Sequence, residues 1–251
     1  LDERIAGGPR AGTSLHLPRF TLCRASHEPG RIMAKQLPRQ IDALKQKILF
    51  VGTLVEEAIA KAISALNNRD RKAANSVIEA DAEIDRMEVD VEEECLKILA
   101  LYQPVAADLR FVVAVLKINN DLERMGDLAK NIAKRVVFLA DCELYDLPVD
   151  YRPMAAQVKS MVKDSLDALV NADTALAQKV RESDDGVDNQ RRTFERQIEK
   201  QIAKDSGQTE GLIQFASIAR HLERIADMAT NIAEDVIYMV EGEIVRHHHN
   251  E

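Results

Sequence analysis

The chain contains no tryptophan, its aromatic residues amount to only 4%, and its cysteines number three, Cys23, Cys95 and Cys142. An odd cysteine count without CxxC or zinc-like spacing supplies neither a disulfide framework nor a structural zinc site. Together with the lack of a signal-peptide pattern it fits a reducing, cytoplasmic compartment. Long apolar runs are missing too. The longest, Phe111 to Leu116, ends at Lys117, far short of the roughly 18 to 20 residues that span a bilayer, so membrane contact would go through a partner. Positive charge is in deficit, with 34 Lys and Arg against 42 Asp and Glu for a net −8. That balance argues against a nucleic-acid role, which depends on clustered Lys and Arg neutralising phosphates. There is no glycine-rich phosphate loop and no Ser-His-Asp set.

What remains is rich in Ala, Leu, Glu, Lys, Asp and Arg, an all-α profile. Its most informative feature is a repeat. Residues 119–137 laid over 219–237 give nine identities in nineteen ungapped positions. They include Leu122 with Leu222, Glu123 with Glu223, Arg124 with Arg224, Asp127 with Asp227 and Asn131 with Asn231. Earlier segments match at an offset of 103, pairing Asp70 with Asp173, Asp81 with Asp184 and Asp85 with Asp188. The expected fold is therefore all-α, two tandem, duplicated three-helix bundles of six long helices.

Residues 1–32 hold three of the seven prolines, four of the ten glycines and no sustained periodicity. They read as a disordered leader or extension, native or foreign, with Met33 a natural start. From Pro38 an amphipathic stripe runs through Ile41, Leu44, Ile48, Val51, Val55, Ile59, Ala62 and Leu66. Asp70 then caps a second helix from Arg71 to Leu101, and Pro104 opens a third. This first three-helix repeat covers 33–145, a linker 146–153, and the second repeat 154–242. Helices are expected at 153–171, 173–204 and 209–241, the last stopped by Gly242, followed by a tail over 243–251.

Four acidic pairs share one spacing: Asp81 and Asp85, Glu123 and Asp127, Asp184 and Asp188, Glu223 and Asp227. Asp81, Glu88 and Asp184 fall on steps of helical stripes otherwise held by apolar residues. A buried, unpaired carboxylate costs several kcal/mol, so something must compensate it. In one reading Arg124, Arg224 and nearby lysines pair with the acids on a solvated face. In the other, pairs on neighbouring helices converge on a metal cation, and four pairs set in register by a duplication favour this second reading. An all-oxygen donor set points to Mg²⁺, Mn²⁺, Fe or Ca²⁺ before zinc. The residues three after Glu123 and Glu223 are Gly126 and Ala226, not His, which argues against di-iron redox chemistry. His221 faces Asp121 in the repeat, so it is no shared ligand. His247, His248 and His249 read as a solvated tail.

At these motifs, notably L122-E-R-M-G-D127 and R220-H-L-E-R-I-A-D227, the chain resembles the PhoU family, regulators of bacterial phosphate uptake. The resemblance covers Met33 to Arg246. It implies a cytoplasmic, dimeric helical protein that is not an enzyme and that binds multinuclear metal clusters on the eight acids above. It further implies action with the phosphate ABC transporter ATPase and a sensor histidine kinase to repress the phosphate-starvation regulon. The rival readings are a hydrolase using the cluster to activate water and a metal-free structural dimerising bundle.

Overall fold

The computed structural model describes residues 29–142 and 150–242, with side-chain surroundings from Gln36 onward. Its helices are α1 (Pro29–Asn68), α2 (Arg71–Tyr102), α3 (Ala106–Ala140), α4 (Arg152–Asn171), α5 (Thr174–Lys204) and α6 (Thr209–Glu241). A 3₁₀ turn, Ser206–Gln208, leads into α6. There is no strand among the described residues. Most of the leader, residues 146–149 of the linker, the tail and its three histidines, and Cys23 lie outside the described residues.

Two boundaries differ from expectation. α1 begins at Pro29, inside the segment assigned to the leader, and Pro38 lies within the helix. A proline there forfeits one N–H donor and crowds a carbonyl one turn back. Pro38 is exposed, so water can serve the carbonyl that loses its partner. Pro104 does not open α3. It sits buried in the connection, and the helix starts at Ala106 after Val105.

The duplication reaches the turns. Arg69 and Ala172 both take left-handed backbone, with φ of 51° and 50°. The next residue in each case is an aspartate whose side chain caps the following helix. Asp70 Oδ1 accepts from Ala73 N at 3.0 Å, and Asp173 Oδ1 accepts from Leu176 N at 2.9 Å. Gly242 ends α6 at φ 78°, donating its N–H to Tyr238 O.

Within each repeat three helices share one core. α1 packs on α2 and α3, and α4 packs on α5 and α6. In α1, Leu44, Ile48, Val51, Val55, Ile59, Ala62 and Leu66 are buried, as the stripe requires. The α2–α3 contact is close at Gly126, where an added Cβ would stand 3.1 Å from Ile84 Cδ1. The matching residues of the second repeat are Val187 and Ala226, both buried. A methyl group has moved from one helix to the other at constant volume, the kind of swap a packed core tolerates.

The repeats join mainly along α3 and α6, with α1 and α4 also touching. Arg110 reaches Met239 O, Lys117 meets Asp235 and Arg135 meets Gln214, so α3 and α6 run antiparallel. Lys117 Nζ lies 3.2 Å from Asp235 Oδ1, whose side chain is 2% exposed, and 5.0 Å from the centre of the Tyr238 ring. A buried carboxylate thereby gains a cation that stays partly hydrated.

Candidate metal centres at the duplicated carboxylates

In the first repeat α2 carries Asp81 and Asp85, and α3 carries Glu123 and Asp127. Their mutual influence on protonation marks them as neighbours. Partial desolvation, then the charge of Asp81, raises the Asp85 carboxyl above its usual range. Desolvation also leads for Glu123, followed by Asp127, Asp85, Glu88 and Asp81. Asp81 sits deepest, at 4% exposure. Its Oδ2 accepts a hydrogen bond from Lys130 Nζ, which also lies 3.3 Å from Asp127 Oδ1. The bond to Asp81 is the leading cause of a raised Lys130 pKa, so the ammonium stays charged. Asn119 donates to Glu88 O at 2.9 Å and ties the same two helices one turn further along.

In the second repeat α5 carries Asp184 and Asp188, and α6 carries Glu223 and Asp227. These four again influence one another. Asp184 is raised by burial, then by Asp188 and Asp185. The Thr230 hydroxyl opposes that shift, although it lies outside good hydrogen-bond geometry. Asp227, at the rim, is pushed up to about 6, first by desolvation and then by Glu223, Asp184 and Asp188. The cations here are half-buried Arg191 and exposed Arg192. Arg191 bridges Glu195 at 2.8 Å and Glu223 at 3.3 Å, and Arg192 meets Asp188 at 2.8 Å.

Both groups of four are thus brought together, yet as placed no three His, Cys, Asp or Glu side chains among the described residues are arranged to hold a metal ion. The donor chemistry suits a hard cation, since all eight ligand candidates are carboxylates and no thiol or imidazole joins them. The first repeat already contains a stand-in cation, the Lys130 ammonium. Arg124 and Arg224, the partners suggested by the motif itself, are exposed. Lys130, Arg191 and Arg192 take that role instead. Arg192 was visible as an i, i+4 partner of Asp188, and Arg191 as a cation on an apolar stripe. The Lys130–Asp81 contact crosses helices and had no local signal.

Two other expectations concern side chains outside these groups. Cys95 is fully buried, and burial pushes its thiol up to about 12, which makes it unreactive. His221 lies on α6 with both ring nitrogens buried and without a hydrogen-bond partner. Its pKa is lowered to about 4 by desolvation and by Arg135, Arg224 and Arg220, so it is a neutral packing residue at neutral pH.

A family profile described as the PhoU domain matches the chain twice, over residues 48–136 and 151–236. A phosphate-specific transport system accessory protein PhoU homolog of Aquifex aeolicus is 42% identical over 214 residues, covering 85% of this chain and 97% of that protein. The homolog of Pseudomonas aeruginosa is 37% identical over 218 residues, covering 86% and 89%. These relatives are named for an accessory role rather than for a reaction. Among solved structures, PhoU from Pseudomonas aeruginosa superposes with a TM-score of 0.80 at 36% identity, covering 83% of this chain and 100% of that one. The phosphate transport system regulatory protein PhoU from Streptococcus pneumoniae gives 0.74 at 32%, covering 84% and 99%. Two domain matches that leave only the connection between them and the ends uncovered, with relatives similar along nearly their whole length, establish that the chain belongs to the PhoU family.

Proposed function

We propose that this protein is a metal-binding regulator of phosphate uptake. It couples the high-affinity phosphate ABC transporter to a sensor histidine kinase and holds the phosphate-starvation response down when phosphate is plentiful. The observation that carries the regulatory part is the family membership, over nearly the full length of relatives named as accessory proteins of the phosphate-specific transport system. No helix among the described residues is long and apolar enough to cross a membrane. In this reading the protein works in the cytoplasm as a homodimer and reaches the membrane through the transporter's ATPase and the kinase.

The metal part rests on the carboxylates. Asp81, Asp85, Glu123 and Asp127 in one repeat, and Asp184, Asp188, Glu223 and Asp227 in the other, are the residues that would hold Fe, Mn or Mg. A multivalent cation supplies positive charge where burial and mutual repulsion otherwise raise the carboxyl pKa values. The protein's own side chains fix which helices are tied: α2 to α3, and α5 to α6. That bracing keeps each bundle a rigid surface for its partners.

The test is affinity purification of the tagged full chain from phosphate-replete cells. The transporter's ATPase and a sensor kinase are expected to co-purify, with metal above trace level in the same sample by elemental analysis. Recovery of neither protein from cells that contain both would overturn the regulatory reading. Metal-free recovery would remove only the metal.

A further inference from the structure

We infer that Arg135, Arg220 and Arg224, gathered beside His221 where α3 meets α6, form a binding site for a phosphate group, either the free ion or a phosphate monoester. The site uses none of the eight acids and does not depend on the metal reading above.

The duplication shows what is unusual there. Because α3 and α6 are antiparallel and are copies of one another, their contact has two matching ends. One end carries Lys117, Asp121, Arg124 and, across the contact, Asp235, two charges of each sign. Lys117 Nζ lies 3.2 Å from Asp235 Oδ1 there. The matching residues at the other end are Ser217, His221, Arg224 and Arg135. A histidine and an arginine stand where the first end has its acids, and Arg220 stands where it has the neutral Asn120. Three guanidinium groups and no acid thus occupy an end whose twin is balanced, in a chain of net charge −8.

The three come from both helices and converge. Arg135 of α3 crosses to α6, where its Nη1 donates to Gln214 Oε1 at 3.0 Å. Arg220 and Arg224 lie one turn apart on α6, and all three act electrostatically on the His221 imidazole between them. Their side chains are exposed, so a ligand has access. Among the described residues none of the three forms an ion pair with an acid. Nearby carboxylates are engaged elsewhere, Glu223 with Arg191 and Asp127 with Lys130, while Asp227 feels Arg224 without reaching ion-pair distance. Like charges one turn apart on a helix repel, and a multiply charged anion relieves that repulsion across both helices at once. Guanidinium groups present paired N–H donors that match the oxygens of a phosphate group, which suits three of them better than a single carboxylate does.

The experiment titrates the metal-stripped full chain at low ionic strength, where screening is weakest, with inorganic phosphate and separately with glycerol 3-phosphate, followed by calorimetry. Wild type should bind at least one of them saturably, at one site per chain. Arg135→Asp restores the acid that stands at the matching position 235, and it should weaken binding about tenfold or more. Arg196→Asp, on the exposed side of α5, makes the same change in net charge and should leave the affinity as it is. The bound ligand should also shift the His221 ring signals in NMR spectra, identified by their loss in His221→Leu, in wild type and not in Arg135→Asp. Binding of free phosphate alone would support the site with the ion as its ligand, and binding of the ester alone would support it with a phosphorylated molecule. No saturable binding of either compound would overturn the site. So would equal weakening by Arg135→Asp and Arg196→Asp, or unmoved His221 signals at saturation. Membership of the family stands under every one of these results.

Discussion

The first and second repeats place four carboxylates at matching positions on matching helices, and they neutralise them differently. The first inserts an ammonium between the helices, through Lys130 on Asp81 and Asp127. The second uses guanidinium groups instead, with half-buried Arg191 on Glu223 and exposed Arg192 on Asp188. The outer surfaces diverge as well. On α2, Ala82, Val89 and Leu96 form an exposed stripe at seven-residue spacing, with Val89 49% and Leu96 54% exposed. The matching residues of α5 are Asp185, Arg192 and Glu199, all exposed. Duplication thus preserved the backbone, the caps and the core volume, where a change is penalised by packing. Charge compensation drifted, because several arrangements of cations satisfy the same acids.

The largest difference between the repeats should appear on removing their matching inner residues. In metal-free buffer at pH 7, Lys130→Ala leaves Asp81 buried and unpaired and should cost about 3 kcal/mol of unfolding free energy. Thr230→Ala should cost less than about 1 kcal/mol. Urea denaturation of both variants checks this, and equal losses would mean that Lys130 is no more than a surface partner.

A smaller contrast concerns acid. His221 occupies the α6 position that Asp121 holds in α3. Its folded-state pKa of about 4 lies below the ordinary histidine value of 6.5. A base with a depressed pKa contributes stability that is present above the ordinary value and is lost as pH falls toward the folded one. Asp227 acts in the opposite sense. Its stability contribution is present below the usual carboxyl pKa of 3.8 and disappears as pH rises through about 6. Replacing His221 with Leu isolates the first effect. Between pH 7 and pH 5, wild type should lose about 1 to 2 kcal/mol more than His221→Leu, allowing for partial solvent screening. Parallel pH profiles for the two proteins would show that the imidazole opens to water in solution.

The smallest effect is expected on the outer stripe. Converting α2 toward α5 with Val89→Arg and Leu96→Glu should move the unfolding midpoint by no more than about 0.5 kcal/mol, because both side chains are already half in water. A large loss in thermal melts would reveal that this face is covered in the native protein.

Much of this was legible in the order of residues. The apolar stripe of α1, the capping aspartates Asp70 and Asp173, and the stop at Gly242 follow from local rules of period and capping. The acids could be placed on their helices because Asp81 and Asp184 interrupt apolar stripes at matching steps. Pro38 was misjudged because proline's penalty is local, whereas the long helix around it is held by core contacts that begin at Leu37 and Ile41 and become fully buried from Leu44.

The sequence by itself determined six helices in two like halves, and it named the eight acids, since periodicity, capping and repetition are properties of neighbours along the chain. Only the tertiary structure decided which cation answers each acid. Lys130 finds Asp81 across 49 residues and Lys117 finds Asp235 across 118, and nothing within a turn of either lysine specifies its partner. Those pairings depend on how α2 lies on α3 and α3 on α6, where burial makes an uncompensated charge costly and the helix in reach supplies the opposite one.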